Sequence, residues 1–277
     1  MSSALLLALG ASLAWGVADF VGPWQARTLG ALRVMLWAQI GGIAAIGLVV
    51  AGRGHAPHDW AVLWAIPAAL SGTLGLYAYY RGVAVGAISV VAPIAGASAI
   101  IPVLYGIATG DHPSGVQLAG IALAIVGVVL AAQEHQEGGR GSLAAGAGLA
   151  ILAAIGFGFY FPPMHAAGSA DPWWASLLFR FTAFLIVLAA VAVRRPAIRL
   201  AGWSLAVVLA VGAGDTLGNL LFAASAGHGL VSLTSVLASL YPIVTVVLAA
   251  IVLHERVSAL QLAGIVLTLA GIVLISV

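Results

Sequence analysis

Two side chains are missing altogether: the sequence has no cysteine and no lysine. Without cysteine there is no disulfide, no thiol nucleophile and no thiolate metal site. Charge of either sign is scarce. Only 6% of the 277 residues are charged and 63% are hydrophobic, whereas an average soluble domain carries about 25% charged residues. A soluble fold of this length could not cover its surface with so few charges. The net charge is +2, from ten Arg against eight acids, and the Arg are scattered, which excludes nucleic-acid binding. No stretch alternates polar and apolar residues with period 2, which excludes a transmembrane barrel. What remains is an all-α integral membrane protein, expected as a multi-pass protein of the inner or plasma membrane. The 35 glycines suit close packing between membrane helices.

A hydrocarbon core about 30 Å thick needs about 20 apolar residues as helix. Cutting at polar and Gly/Pro-rich breaks predicts ten spans, at roughly 3–21, 29–51, 61–83, 87–108, 115–132, 143–164, 173–193, 202–226, 229–252 and 258–276. The N-terminal "MSSALLLALGASLAWGVADF" lacks the positive start of a signal peptide, so it is read as a retained first span. Trp24, Trp60, Trp173, Trp174 and Trp203 lie at span edges, where an interfacial belt belongs.

The chain repeats itself. "QLAGIALAIVGVVL" at 117–130 matches "QLAGIVLTLAGIVL" 144 positions later, and "LGLYAYYRGVAVGAIS" at 74–89 parallels "LGNLLFAASAGHGLVS" 143 positions later. Arg33 corresponds to Arg180, and Pro23 to Pro163. This gives a first five-span repeat at 1–133, a polar linker at 134–142 and a second repeat at 143–277. Five is odd, so the second half inserts upside down relative to the first. Inverted repeats are a recurrent transporter plan, with the substrate site near the midplane between them.

On these features the chain resembles the EamA-like ten-span family of the drug/metabolite transporter superfamily. "SLYPIVTVVLAAIVLHERVSALQLAGIVLTLAGIVL" (239–274) is similar to the family's closing pattern, and "VAPIAGASAIIPVLYGIATGDHPSGVQLAGIALAIVGVVL" (91–130) repeats it. "LAWGVADF" (13–20) resembles its first-span pattern. The resemblance implies a membrane exporter of small metabolites, amino acids or amphipathic amines, and not an enzyme. Fold transfers from such a match better than substrate does.

Asp215 stands in the apolar run "VLAVGAGDTLGNLLF", where an ionised side chain costs at least about 2.5–3.5 kcal/mol. Arg180 in the preceding span sits at the same depth, about 20 Å from the shared connection at 1.5 Å per residue. Asn219 is one helical turn from Asp215 on the same face. The two readings are a cavity carboxylate for a substrate amine or a proton, and a buried salt bridge that fixes helix packing. Asp19 and Arg33 fall near one membrane face as an interfacial pair, or serve the transport pathway. Trp15, Tyr79, Tyr80 and Tyr241 are candidate cavity walls or packed aromatics; Tyr80 with Tyr77 and Arg81 also fits an interfacial belt. Pro93 and Pro102 in span 4, Pro162 and Pro163 in span 6, and Pro242 in span 9 are expected to break or kink their helices.

Asp111 and Glu255 lie in the hairpins joining spans 4–5 and 9–10 and are read as structural. "HER" (254–256) has no second His at helical spacing, and "GAGDTLG" has no Lys and no strand before it, so neither a metal nor a cofactor is expected. The glycine-spaced spans 5 and 10 (Gly120, Gly127; Gly264, Gly271) are expected to pack or to form a homodimer contact. The expected partners are a small-molecule substrate, the lipid bilayer and a coupling proton carried by Asp215 or Asp19. The alternative to transport is a scaffold subunit of a membrane assembly. The Arg count puts the loops opposite the termini in the cytoplasm, whereas the resemblance implies cytoplasmic termini.

Overall fold

The computed structural model describes residues 2–85, 91, 95–131, 140–252 and 258–276. All regular structure among them is helical. The helices are α1 (Ser2–Leu29), α2 (Ala31–Arg53), α3 (Ala65–Val85, led by a 3-10 turn from Trp60), α4 (Ile100–Thr109), α5 (Gly115–Ala131), α6 (Arg140–Ala170), α7 (Pro172–Arg194), α8 (Gly202–Ser225), α9 (Val231–Ala238), α10 (Tyr241–Val252) and α11 (Ala259–Ser276). Six described helices are long and apolar enough to cross a membrane, and four shorter apolar stretches lie at 97–109, 115–130, 231–245 and 262–275. Together these make ten apolar helical segments among the described residues, one for each predicted span.

The packing repeats about a two-fold relation. α3 packs along α6 and α1 along α8; α2 packs on α8 and α7 on α3; α5 packs on α11. Each contact maps onto another, or onto itself, when the two halves are exchanged. The hand of the repeat is visible at α2 and α7. The end of α2 meets the start of α7 through Arg53 and Asp171, 3.3 Å apart. The start of α2 meets the segment after α7, where the Trp37 indole N–H donates to the Ile198 carbonyl at 2.8 Å. Equivalent helices thus run antiparallel, as in an inverted repeat.

Glycine permits the closest of these contacts. A Cβ at Gly120 or Gly127 would strike the backbone of α11, and one at Gly271 would strike α5. These glycine faces are therefore spent within the chain, against each other.

Pro23, Pro162 and Pro163 do not end their helices. α1 continues through Pro23 to Leu29, and α6 continues through Pro162 and Pro163 to Ala170. Prolines interrupt membrane helices less than soluble ones because neighbouring helices re-satisfy the freed backbone groups. Pro102 sits in the first turn of α4 and Pro242 in the first turn of α10, where the missing N–H costs little. Span 9 is broken just before Pro242, at Ser239 and Leu240, between α9 and α10. Pro93, Glu255 and the linker at 134–139 lie outside the described residues.

Candidate functional site

A cavity opens between the two halves at mid-depth, enclosing about 550 Å³ of empty space, part of it open to the outside. The first half contributes Trp15 and Asp19 from α1, Gln39 from α2, and Gly72, Thr73 and Leu76 from α3. The second half contributes Phe157, Tyr160 and Phe161 from α6, Phe179 and Arg180 from α7, Asp215 and Asn219 from α8, and Tyr241 from α10.

The polar wall is built around Arg180. One terminal nitrogen donates to Asp215 Oδ2 at 2.6 Å and the other to Gln39 Oε1 at 3.1 Å. The Arg180 side chain is 1% exposed, whereas that of Asp215 is 22% exposed, on the cavity. The depth argument from the sequence brings the two together because α7 and α8 are antiparallel neighbours with matching faces. Gly42 of α2 makes room: a Cβ there would lie 3.0 Å from Arg180 Cδ. Asn219 does not bond the Asp215 carboxylate; its Nδ2 donates to the Asp215 backbone carbonyl at 3.0 Å, and its Oδ1 accepts from the Tyr160 hydroxyl at 2.6 Å. This chain of bonds fixes Tyr160 and Asn219 as one unit across α6 and α8.

The apolar wall is aromatic. Trp15 meets Tyr160 edge-on at 5.8 Å and Phe161 at 6.1 Å, and Tyr160 meets Phe179 at 5.4 Å. Such edge-to-face contacts add about 0.5–1.5 kcal/mol per pair beyond area burial. Gly218 on α8 allows the Trp15 ring to lie against that helix, since a Cβ there would strike Cδ1 and Nε1 of the indole.

Asp19 is not the interfacial residue the sequence suggested. Because α1 runs on to Leu29, Asp19 lies ten residues inside its end and lines the cavity. Arg33 stays at the membrane edge, its Nε donating to the Ala197 carbonyl. The expected Asp19–Arg33 pair is therefore absent. Among the described residues, Asp19 has no hydrogen bond and no ion pair. Pro23 also has no N–H to give the Asp19 carbonyl one turn earlier.

Tyr79 and Tyr80 are buried, 2% and 4% exposed, but do not line the cavity; Tyr79 stacks behind it on Phe157 at 6.1 Å. Sequence reading missed Gln39, Thr73, Phe157, Tyr160, Phe161 and Phe179. Gln39 is the one polar side chain of α2 between Arg33 and Arg53 near its ends, and that signal could have found it by the depth argument used for Arg180.

At the rim on the side of the termini, Asp111 does more than hold its own hairpin. Its Oδ2 accepts from the Ser232 N–H at 2.8 Å, capping α9 of the other half.

This arrangement can be set beside known proteins. The model of the EamA-like transporter family matches residues 2–133 and 144–277. The chain belongs to the EamA-like transporter family. It is a multi-pass membrane protein of the drug/metabolite transporter superfamily, a family of transporters rather than enzymes. Among solved structures, one described as "Crystal structure of protein" is similar, with a TM-score of 0.81 at 18% identity, covering 99% of this chain and 96% of that one. At that identity the likeness carries the fold alone. No curated protein matches. The cavity thus lies between the two EamA repeats, with residues of both in its wall.

Proposed function

We propose that the chain is a secondary-active exporter of small metabolites, amino acids or amphipathic amines, working by alternating access. The observation that supports this reading most is the mid-depth cavity shared by two antiparallel halves, with charged, amide and aromatic side chains in one wall. Ionisable groups at membrane depth are costly and are functional by default. Space left unfilled at that depth favours transport over a scaffold role, since a scaffold gains only from packing. Export is the direction the family resemblance implies.

Contacts across the halves exist at both rims. On the side of the termini they are Arg53–Asp171, the Trp174 indole to the His55 carbonyl at 3.0 Å, and Asp111 to Ser232. On the other side they are Arg33 and Trp37 to carbonyls of the segment after α7. Alternating access requires one set to open while the other holds. Within this reading Asp215, Arg180, Asn219 and Asp19 form the pathway. Asp19 suits the coupling proton better than Asp215 does, because Asp215 already has a guanidinium at 2.6 Å.

The test is uptake and efflux by purified protein in liposomes, screening labelled amino acids and small amphipathic amines, with Asp215→Asn in parallel. Transport by the native chain that is lost in a folded Asp215→Asn is the expected result. Undiminished transport in that variant would remove Asp215 from the pathway, and no transport by the native chain would remove the function.

A further inference from the structure

We infer that the cavity selects organic monocations with an aromatic or apolar body, anchored at Asp19, over zwitterions and anions of the same body. This rests on the transporter reading and narrows its substrate class.

Three ionisable groups with opposing charges reach the cavity: Asp19, Arg180 and Asp215. The one cation is spent. Both terminal nitrogens of Arg180 are bonded, to Gln39 and Asp215, and the side chain is 1% exposed. Its Nε has no partner, but it also has no accessible surface. Among the described residues that line the cavity, no positive group is left to receive a substrate carboxylate. One negative charge is left over, because two carboxylates face one guanidinium, and Asp19 is the one without a partner among the described residues. A buried carboxylate in an apolar enclosure is stable only with a proton or a cation on it.

Of the neutral groups, the aromatic rings point the same way and the hydroxyls are indifferent. Membrane-helix hydroxyls commonly bond the carbonyl one turn back, as Thr216, Thr245 and Thr268 do here. The Thr73 hydroxyl does not, and neither it nor the Tyr241 hydroxyl has any partner although both are buried and line the cavity. Like Arg180 Nε, neither hydroxyl has accessible surface, and a hydroxyl accepts from an ammonium as readily as it donates to a carboxylate, so the pair does not decide between the two. Trp15 and Tyr160 line the cavity, and an aromatic ring attracts a cation over its face. A substrate carboxylate would face the charges of Asp19 and Asp215, which repel it, with no free cation among the described lining residues to offset them.

The experiment measures equilibrium binding of three labelled probes that share one body to the purified full chain at neutral pH. They are phenethylamine, phenylalanine and 3-phenylpropanoate. The amine is expected to bind about tenfold or more tightly than the zwitterion, with the anion weakest. Asp19→Asn is expected to abolish that preference and Asp19→Glu to keep part of it. The native series decides the matter even where a variant fails to fold. Equal or tighter binding of phenylalanine or of the anion overturns the inference, as does a series in which none of the three binds. Transport of a zwitterion or an anion in liposomes overturns it too, while leaving the transporter reading intact. Amine binding without transport of any solute upholds the cation site and sinks the transporter reading.

Discussion

Arg180 and Asp215 meet at 2.6 Å in the middle of two antiparallel helices, and the Arg member is 1% exposed while the Asp member opens onto the cavity. The pair is thus both packing and wall. Its guanidinium is held from behind by Gln39 of the other half, so the bond network crosses the repeat boundary.

Removing one partner leaves the other charge uncompensated. Arg180→Met is expected to cost about 3–5 kcal/mol of stability, whereas Arg180→Met with Asp215→Leu recovers most of it. Thermal unfolding of the purified variants checks this. A double variant no more stable than the worse single one would refute the pairwise account.

The position of Trp15 depends on a missing side chain. Gly218→Leu would occupy the space of the indole, whereas Gly47→Leu meets nothing within 4 Å. The first is expected to abolish transport and the second to leave it intact, measured in liposomes at equal protein incorporation. Equal activity in both would show that the aromatic wall does not shape the pathway.

Asp171 serves two ends at once. It caps α7 by accepting from the N–H groups of Trp173 and Trp174 at 2.9 and 3.1 Å, and it pairs with Arg53 at the end of α2. Asp171→Ala is expected to lose about 0.5–2 kcal/mol, and Asp171→Asn less, because its amide oxygen can still cap. The part-buried ion pair, its side chains 28% and 12% exposed, adds to the cap. Chemical or thermal unfolding of both variants separates cap from pair.

The spans, the duplication and the Arg180–Asp215 meeting were legible in the sequence because each follows from counting residues along helices of fixed rise. Asp19 was misplaced for one local reason: Pro23, Trp24 and Arg27 read as a span boundary, yet the helix carries on through them. Moving that boundary by two turns moves Asp19 from the membrane edge to the cavity. The same reasoning truncated α6 at Pro163 and hid how far Tyr160 and Phe161 sit from its end. Tyr79 and Tyr80 were indistinguishable by composition from wall residues. Only the helix rotation, set by packing of α3 on α6, puts Tyr79 against Phe157 and Tyr80 against Gly22 of α1, away from the cavity. Rotation is what an apolar helix in an apolar solvent conceals, since no amphipathic stripe marks its buried face.

The central claim is that the mid-depth cavity is a pathway reached alternately from the two sides. The absence of native cysteine makes it directly testable. Leu76 lines the cavity and is partly exposed, so Leu76→Cys puts a thiol within reach of it. Its labelling by a membrane-impermeant thiol reagent is measured in vesicles of both orientations. Modification from each side, slowed by a bound substrate, is the result expected. No modification from either side in a folded, inserted protein would contradict the account.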